Sequence, residues 1–407
     1  MKKTFLVTLS TTVMLFASSD MEQLKLQLQK QQQVIEALQK RVSNLENQNI
    51  KRESDELKAK IAKADTYSAS FSQTDFLPDI AFIINSSIVS RNVKNSEYQN
   101  FAIPGYISAG DGNLPFNKNR GFNLNYAEIA LHSVVDPYFD AFAFFHLHPD
   151  EFEIGEAYVI TRSLPYNLRI KAGKFKSDFG RINSKHQHSW NFDTQPLVYK
   201  AMFGPDGIND PGIQLQWIAP TDTYLLAGFE ALQGNNGRSF GDTEQNNLYI
   251  GYLKTSKDIG DTILLSGASI AHGKNTTGNE TDIYGADFTM QTYLGAYSAL
   301  TWQSELLYRS KEKSDDQAGL YSQIVYKINK NYSCGFRYDL LFKNESGQPD
   351  DLDRYTVMAE YKPFPMSRLR LQYSHDRSKM INNQRLDIDE IIFSLNIAAG
   401  AHGAHSF

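Results

Sequence analysis

Cysteine is all but absent: Cys334 is the single one in 407 residues, so no disulfide can form within the chain. After the first twenty residues, no stretch approaches the ~20 consecutive apolar residues that a membrane-spanning helix needs. Charge of one sign is lacking too. The chain has 41 Lys and Arg against 46 Asp and Glu, a net of −5, with no basic excess for nucleic acid. Gly-x-Ser-x-Gly, a phosphate loop and His-Glu-x-x-His are all missing, so no enzyme, catalytic residue or cofactor is expected. Ser189 near His186, His188 and Asp193 is the only local nucleophile–base–carboxylate grouping, and chance produces such groupings in a polar loop.

What is present changes character along the chain. Lys2 and Lys3 precede an apolar run from Phe5 to Phe16, and Ala17 and Ser19 are small. That pattern reads as a secretory signal over 1–19. Residues 20–65 hold neither Gly nor Pro, and Leu24, Leu28, Gln31, Ile35, Leu38, Val42 and Leu45 fall at alternating steps of four and three. Such a seam predicts an α-helical coiled coil, with Gln31 and Asn49 as polar interruptions that can fix register, and a trimer as the expected assembly. A Ser/Thr-rich linker at 66–74 follows.

From residue 75 the period becomes two. Sixteen alternating segments are expected near 80–90, 120–135, 138–148, 151–162, 166–176, 209–219, 223–233, 245–256, 261–272, 280–293, 298–310, 317–328, 332–343, 351–363, 367–377 and 387–398. Short connections such as Asp136-Pro137, Pro220-Thr221-Asp222 and Phe364-Pro365-Met366 alternate with long ones, 91–119, 177–208, 234–244, 273–279, 344–350 and 378–386. Pro149-Asp150 is the one tight turn on the long side. The alternation of short and long predicts an all-β, 16-stranded antiparallel transmembrane barrel over 75–407, short turns periplasmic, with lipid outside and a wet lumen inside. Segment 332–343 shows the two faces: Cys334, Phe336, Tyr338 and Leu340 alternate with Ser333, Arg337 and Asp339. Sixteen strands leave room for an aqueous channel.

Three constellations could act in that channel. The basic run Arg169, Lys171, Lys174, Lys176, Arg181 and Lys185 would attract anions in a pore, or pair with Glu128, Glu153 and Glu156 as scaffolding. A charge facing mid-bilayer lipid costs ~2–4 kcal/mol, so part of the run must face the lumen, and a bulge at Gly173 would decide which part. Loop 177–208, too long for an idle connection, is expected to fold inward as a constriction. His146/His148, His186/His188 and His402/His405 occur in pairs, and His186 with His188 is the candidate metal pair, although no third ligand lies at zinc-site spacing in sequence.

The stretch from Glu156-Ala-Tyr-Val to Leu168-Arg-Ile-Lys-Ala-Gly-Lys-Phe-Lys-Ser-Asp-Phe-Gly180-Arg resembles the phosphate-selective (porin O/P-like) superfamily of outer-membrane barrels. The resemblance implies a trimeric, anion-preferring porin with an N-terminal coiled coil in the periplasm. The run Phe179 to Trp190, the block Gln195-Pro-Leu-Val and the ending His402 to Phe407 resemble a group sometimes described as zinc-regulated TonB-dependent receptors. That group often carries a His-rich first long loop. Here the loop reads Ser108-Ala-Gly-Asp-Gly-Asn-Leu-Pro, and a coiled coil stands where a plug would be. The expected function is therefore passive diffusion of small hydrophilic solutes or ions, with an anion preference. Uptake of zinc or a metal complex, and structural tethering of the envelope, are the alternatives.

Overall fold

The computed structural model describes residues 78–111, 114–148, 152–241, 244–343, 352–382 and 384–400. The expected signal, heptads, linker and final tail after Gly400 lie outside them. The barrel strands are β1 (Asp79–Arg91), β2 (Gly121–Val134), β3 (Phe139–Leu147), β4 (Phe152–Thr161), β5 (Leu168–Lys176), β6 (Asn209–Ile218), β7 (Tyr224–Leu232) and β8 (Leu248–Ile259). They continue with β9 (Thr262–Lys274), β10 (Glu280–Tyr293), β11 (Ala299–Lys311), β12 (Gln317–Lys327), β13 (Tyr332–Leu341), β14 (Leu352–Tyr361), β15 (Ser367–Asp376) and β18 (Ile388–Gly400). A small hairpin, β16 (Met380–Ile381) with β17 (Gln384–Arg385), interrupts the last long loop.

Each barrel strand pairs antiparallel with its neighbours, and β1 closes the sheet on β18 from Ala81↔Gly400 to Arg91↔Glu390. Closure leaves no sheet edge, which is how a non-helical chain satisfies its backbone in a bilayer. The burial alternation is inverted relative to a soluble sandwich. Along β14, Tyr355, Val357 and Tyr361 are exposed while Arg354, Thr356 and Glu360 are buried. Leu371 is 52% exposed and its neighbour Arg370 only 1%. On β13, Phe336 is exposed and Arg337 and Asp339 are buried, as the two-face pattern requires. Cys334 lies on the exposed face.

Most of the buried apolar residues lie inside the barrel and belong to, or pack against, its loops. Phe179, Ile182, Leu197, Val198, Tyr199, Met202 and Phe203 of loop 177–208 cluster with Leu307, Tyr321 and Leu341 from the opposite wall. The loop is not irregular throughout. It contains a 3₁₀ turn at Gln187–Ser189 and a helix at Leu197–Phe203, apolar on nearly all sides and so buried on nearly all sides.

Candidate functional site

Register assembles the site. Glu128 on β2 pairs with His146 on β3, and His146 pairs with Glu153 on β4. The three therefore form a row across the sheet, and His148, two positions beyond His146, projects on the same side. The β3–β4 ladder then slips, from Phe144↔Glu156 to Phe145↔Ile154, leaving Gly155 as an extra residue. That bulge returns Glu156 to the inner face, three positions from Glu153.

Loop 177–208 delivers His186 against this row. Its Nδ1 lies 3.0 Å from Glu128 Oε2, and its Nε2 meets Glu156 Oε1. Two acceptors on one imidazole call for two protons, so His186 is an imidazolium bridging two carboxylates. Burial alone would lower its pKa; Glu128 and Glu156 override burial and hold it up at about 9. His188 lies beside it with its ring tilted by 50°, and its Nδ1 is 3.3 Å from the Tyr126 hydroxyl and 3.8 Å from Glu128. The expected metal pair thus sits in a carboxylate-rich setting, with both nitrogens of His186 engaged.

The rest of the loop is tied to the far wall. Glu305 accepts from the backbone N–H groups of Arg181 (2.8 Å) and Ile182 (3.1 Å) and from the hydroxyls of Tyr199 (2.6 Å) and Tyr321. Arg181 Nε reaches Asp287 at 2.8 Å. Asp339 accepts from the Leu197 N–H at the helix N-terminus (2.8 Å) and pairs with Arg337 (2.9 Å) and Arg354 (3.0 Å). Arg370 binds Asp193 (3.0 Å) and Glu360 (2.7 Å). With Asp193 held by Arg370 and Ser394, the sequence neighbourhood of Ser189, His188 and Asp193 does not assemble into a triad.

The basic run divides. Gly173 has φ +133°, but β5 pairs with β4 and with β6 through it without a register shift, so the bulge considered there is absent from the ladders. Arg169, Lys171 and Lys176 line one recess of 540 Å³ together with Arg162, Asp140, Glu156 and Asp178. Lys174 does not line it; its Nζ lies 3.6 Å from Glu153 and donates to the Ile154 carbonyl. A second recess, of 450 Å³, is lined by Glu128, His146, His148, Glu153, His186 and again Lys176. Arg181 is bound to Asp287, and Lys185 is exposed. Sequence reasoning missed the joining of His146 and His148 to Glu153, and the carboxylates Asp287, Glu305 and Asp339 as loop anchors. Alternation places each on the inner face, but only the inter-strand register shows what it faces.

No protein-family model matches the chain. Among solved structures, its fold is similar to the outer membrane channel DcaP of Acinetobacter baumannii (TM-score 0.55, 10% identity, 81% of this chain and 100% of that one). It is also similar to an anion-selective porin from Comamonas acidovorans (0.54, 10%, 80% and 100%) and to a trimer form of the outer membrane protein OmpT of Vibrio cholerae (0.50, 12%, 80% and 99%). At these identities the likeness is one of fold: a porin-like barrel. An uncharacterized protein of Aquifex aeolicus (strain VF5) is 40% identical over 382 residues, covering 83% of this chain and 81% of that protein. The chain, a porin-like sixteen-stranded barrel, belongs to the same family as that Aquifex aeolicus protein.

Proposed function

We propose that the chain is an outer-membrane porin through which small hydrophilic solutes or ions diffuse passively. The inside-out barrel carries this reading: apolar side chains face outward around a polar, charged lumen that one long loop crosses. The loop serves as the constriction, docked on the far wall and leaving recesses along β2–β5. Lys176 lines both recesses, so it marks the point where they meet. The recess near the short turns holds four cations, Arg162, Arg169, Lys171 and Lys176, against three carboxylates, which supports a modest anion preference. Residues 20–65 are proposed as a periplasmic coiled coil that joins three copies; the trimer form of the Vibrio cholerae neighbour supports that assembly.

Reconstitution in planar bilayers tests the proposal. Stepwise conductance that does not saturate with salt is the expected result, and deleting residues 183–200 should raise it several-fold. No steps at all would leave the envelope-tethering alternative, and unchanged conductance in the deletion would remove the constriction.

A further inference from the structure

We infer that His146, His148 and Glu153 form a binding site for a divalent transition-metal ion on the lumen wall. One ligand atom from each of the three lies within 4.8 Å of the other two. Both imidazoles are oriented by acceptors. His148 Nδ1 lies 3.1 Å from the Asn125 carbonyl oxygen, which can only accept, so Nδ1 carries the proton and Nε2 keeps its lone pair. His146 Nε2 faces Glu128 Oε2 at 3.2 Å, which leaves Nδ1 as the lone-pair nitrogen. A ligand imidazole whose other nitrogen donates to a carboxylate or carbonyl is the usual supporting arrangement in metal sites.

Two further features point to a ligand. Glu128 Oε1 is buried without a hydrogen-bond partner beside the His146 ring, an unused acceptor next to the site. Gly155 makes space for the His146 ring: a Cβ there would lie 2.8 Å from His146 Cε1. The recess in front has 450 Å³, room for an ion with its remaining waters. The Lys174 ammonium, 3.6 Å from Glu153, is the group an arriving cation would displace.

The donor set selects the ion. Two imidazole nitrogens and one carboxylate suit zinc, nickel, cobalt or copper(II) and not calcium or magnesium, which prefer all-oxygen shells. Three protein ligands leave open positions, as in sites where the bound species exchanges. The neighbouring group of Glu128, His186 and His188 is a poorer site, because both His186 nitrogens are committed to carboxylates.

The test is calorimetric titration of the full-length protein in detergent with zinc, paired with copper(II) electron paramagnetic resonance. Wild type should take one ion per chain at this site, with superhyperfine splitting from two nitrogens. H146A/H148A should weaken zinc ~100-fold or more and E153Q ~10-fold. H402A/H405A should keep the wild-type titration. The inference is overturned if H146A/H148A titrates like wild type, if binding is lost only with H186Q or H402A/H405A, or if wild type takes up no zinc. Should the double variant fail to fold, the H148A and E153Q variants and the copper spectrum decide. Binding is read without conduction, so its failure and the failure of the channel reading are separate results.

Discussion

The two sides of the lumen use charge differently. On the far wall, β10 to β15, the ionisable side chains are sealed: those of Asp287, Arg337 and Arg370 are 1% exposed and that of Asp339 0%. Each is bound to loop 177–208 or to a neighbour that is. On the near wall Glu128 is equally sealed against His186, but Glu153 is 39% exposed, Lys174 29% and His146 21%. The ladders differ in parallel. Among the described pairs, β8 to β15 run without a register shift, whereas the near side slips at Asn85/Ser86 and Phe144/Phe145. A regular ladder presents charges at fixed spacing, suited to gripping a loop. Bulges re-aim single side chains, suited to building a recess. One wall grips most of the loop, and the other leaves recesses beside it.

Matched substitutions would break this comparison if it is wrong. D339A removes the carboxylate from two buried guanidiniums and from the N-terminus of the helix at Leu197–Phe203. Leaving buried charges unpaired should destabilise the folded barrel by about 3–5 kcal/mol. E153Q, on the near wall, should change stability by less than about 1 kcal/mol, because its Lys174 contact is partly solvent-exposed. Urea unfolding in lipid vesicles measures both. Equal losses in the two variants would erase the distinction. D339A should also make single-channel current noisier, since the loop loses its central anchor, while E153Q should not.

Selectivity comes next in size. K176E changes the charge where the two recesses meet and should move the reversal potential in a salt gradient toward cation preference. K327E, at the far end of β12 and exposed, is the control and should leave it unmoved. The same shift in both would mean that net charge, rather than position, sets the preference.

The architecture was legible because it is local. Alternation along a strand and turn residues between strands are neighbours in sequence, and all sixteen strands were placed within a few residues; β8 came latest, starting at Leu248 rather than 245. The inward fold of loop 177–208 followed from its length. Its grip did not: Leu197 and Asp339 are 142 positions apart, and nothing near either predicts the other. The metal-ligand set was hidden for a similar reason. His146 and His148 stood out as a pair, but Glu153 joins them through register, and Glu156 reaches His186 only because Gly155 is an extra residue. A bulge of one residue leaves no mark on composition.

The smallest expected effect concerns the charged contact between the loop's His186 and the near wall. His186 gains a proton when it docks between Glu128 and Glu156, and its pKa rises from 6.5 to about 9. A group whose folded value is raised contributes its full stabilisation below the unfolded value and loses it as pH climbs through the folded one. The docked loop should therefore be most secure below about pH 6.5, weaken between there and pH 9, and lack this contribution above it. The loss is on the order of a few kcal/mol at most. H186Q should remove the pH dependence across that window and leave a barrel that resembles the alkaline wild type at every pH. Denaturation midpoints taken at intervals from pH 6 to 10 in the presence of a chelator, which keeps metal at His146 and His148 out of the comparison, measure the slope. A wild-type midpoint that stays flat, or one that falls equally in H186Q, would show that His186 docks as a neutral ring and that the near wall holds the loop by shape alone.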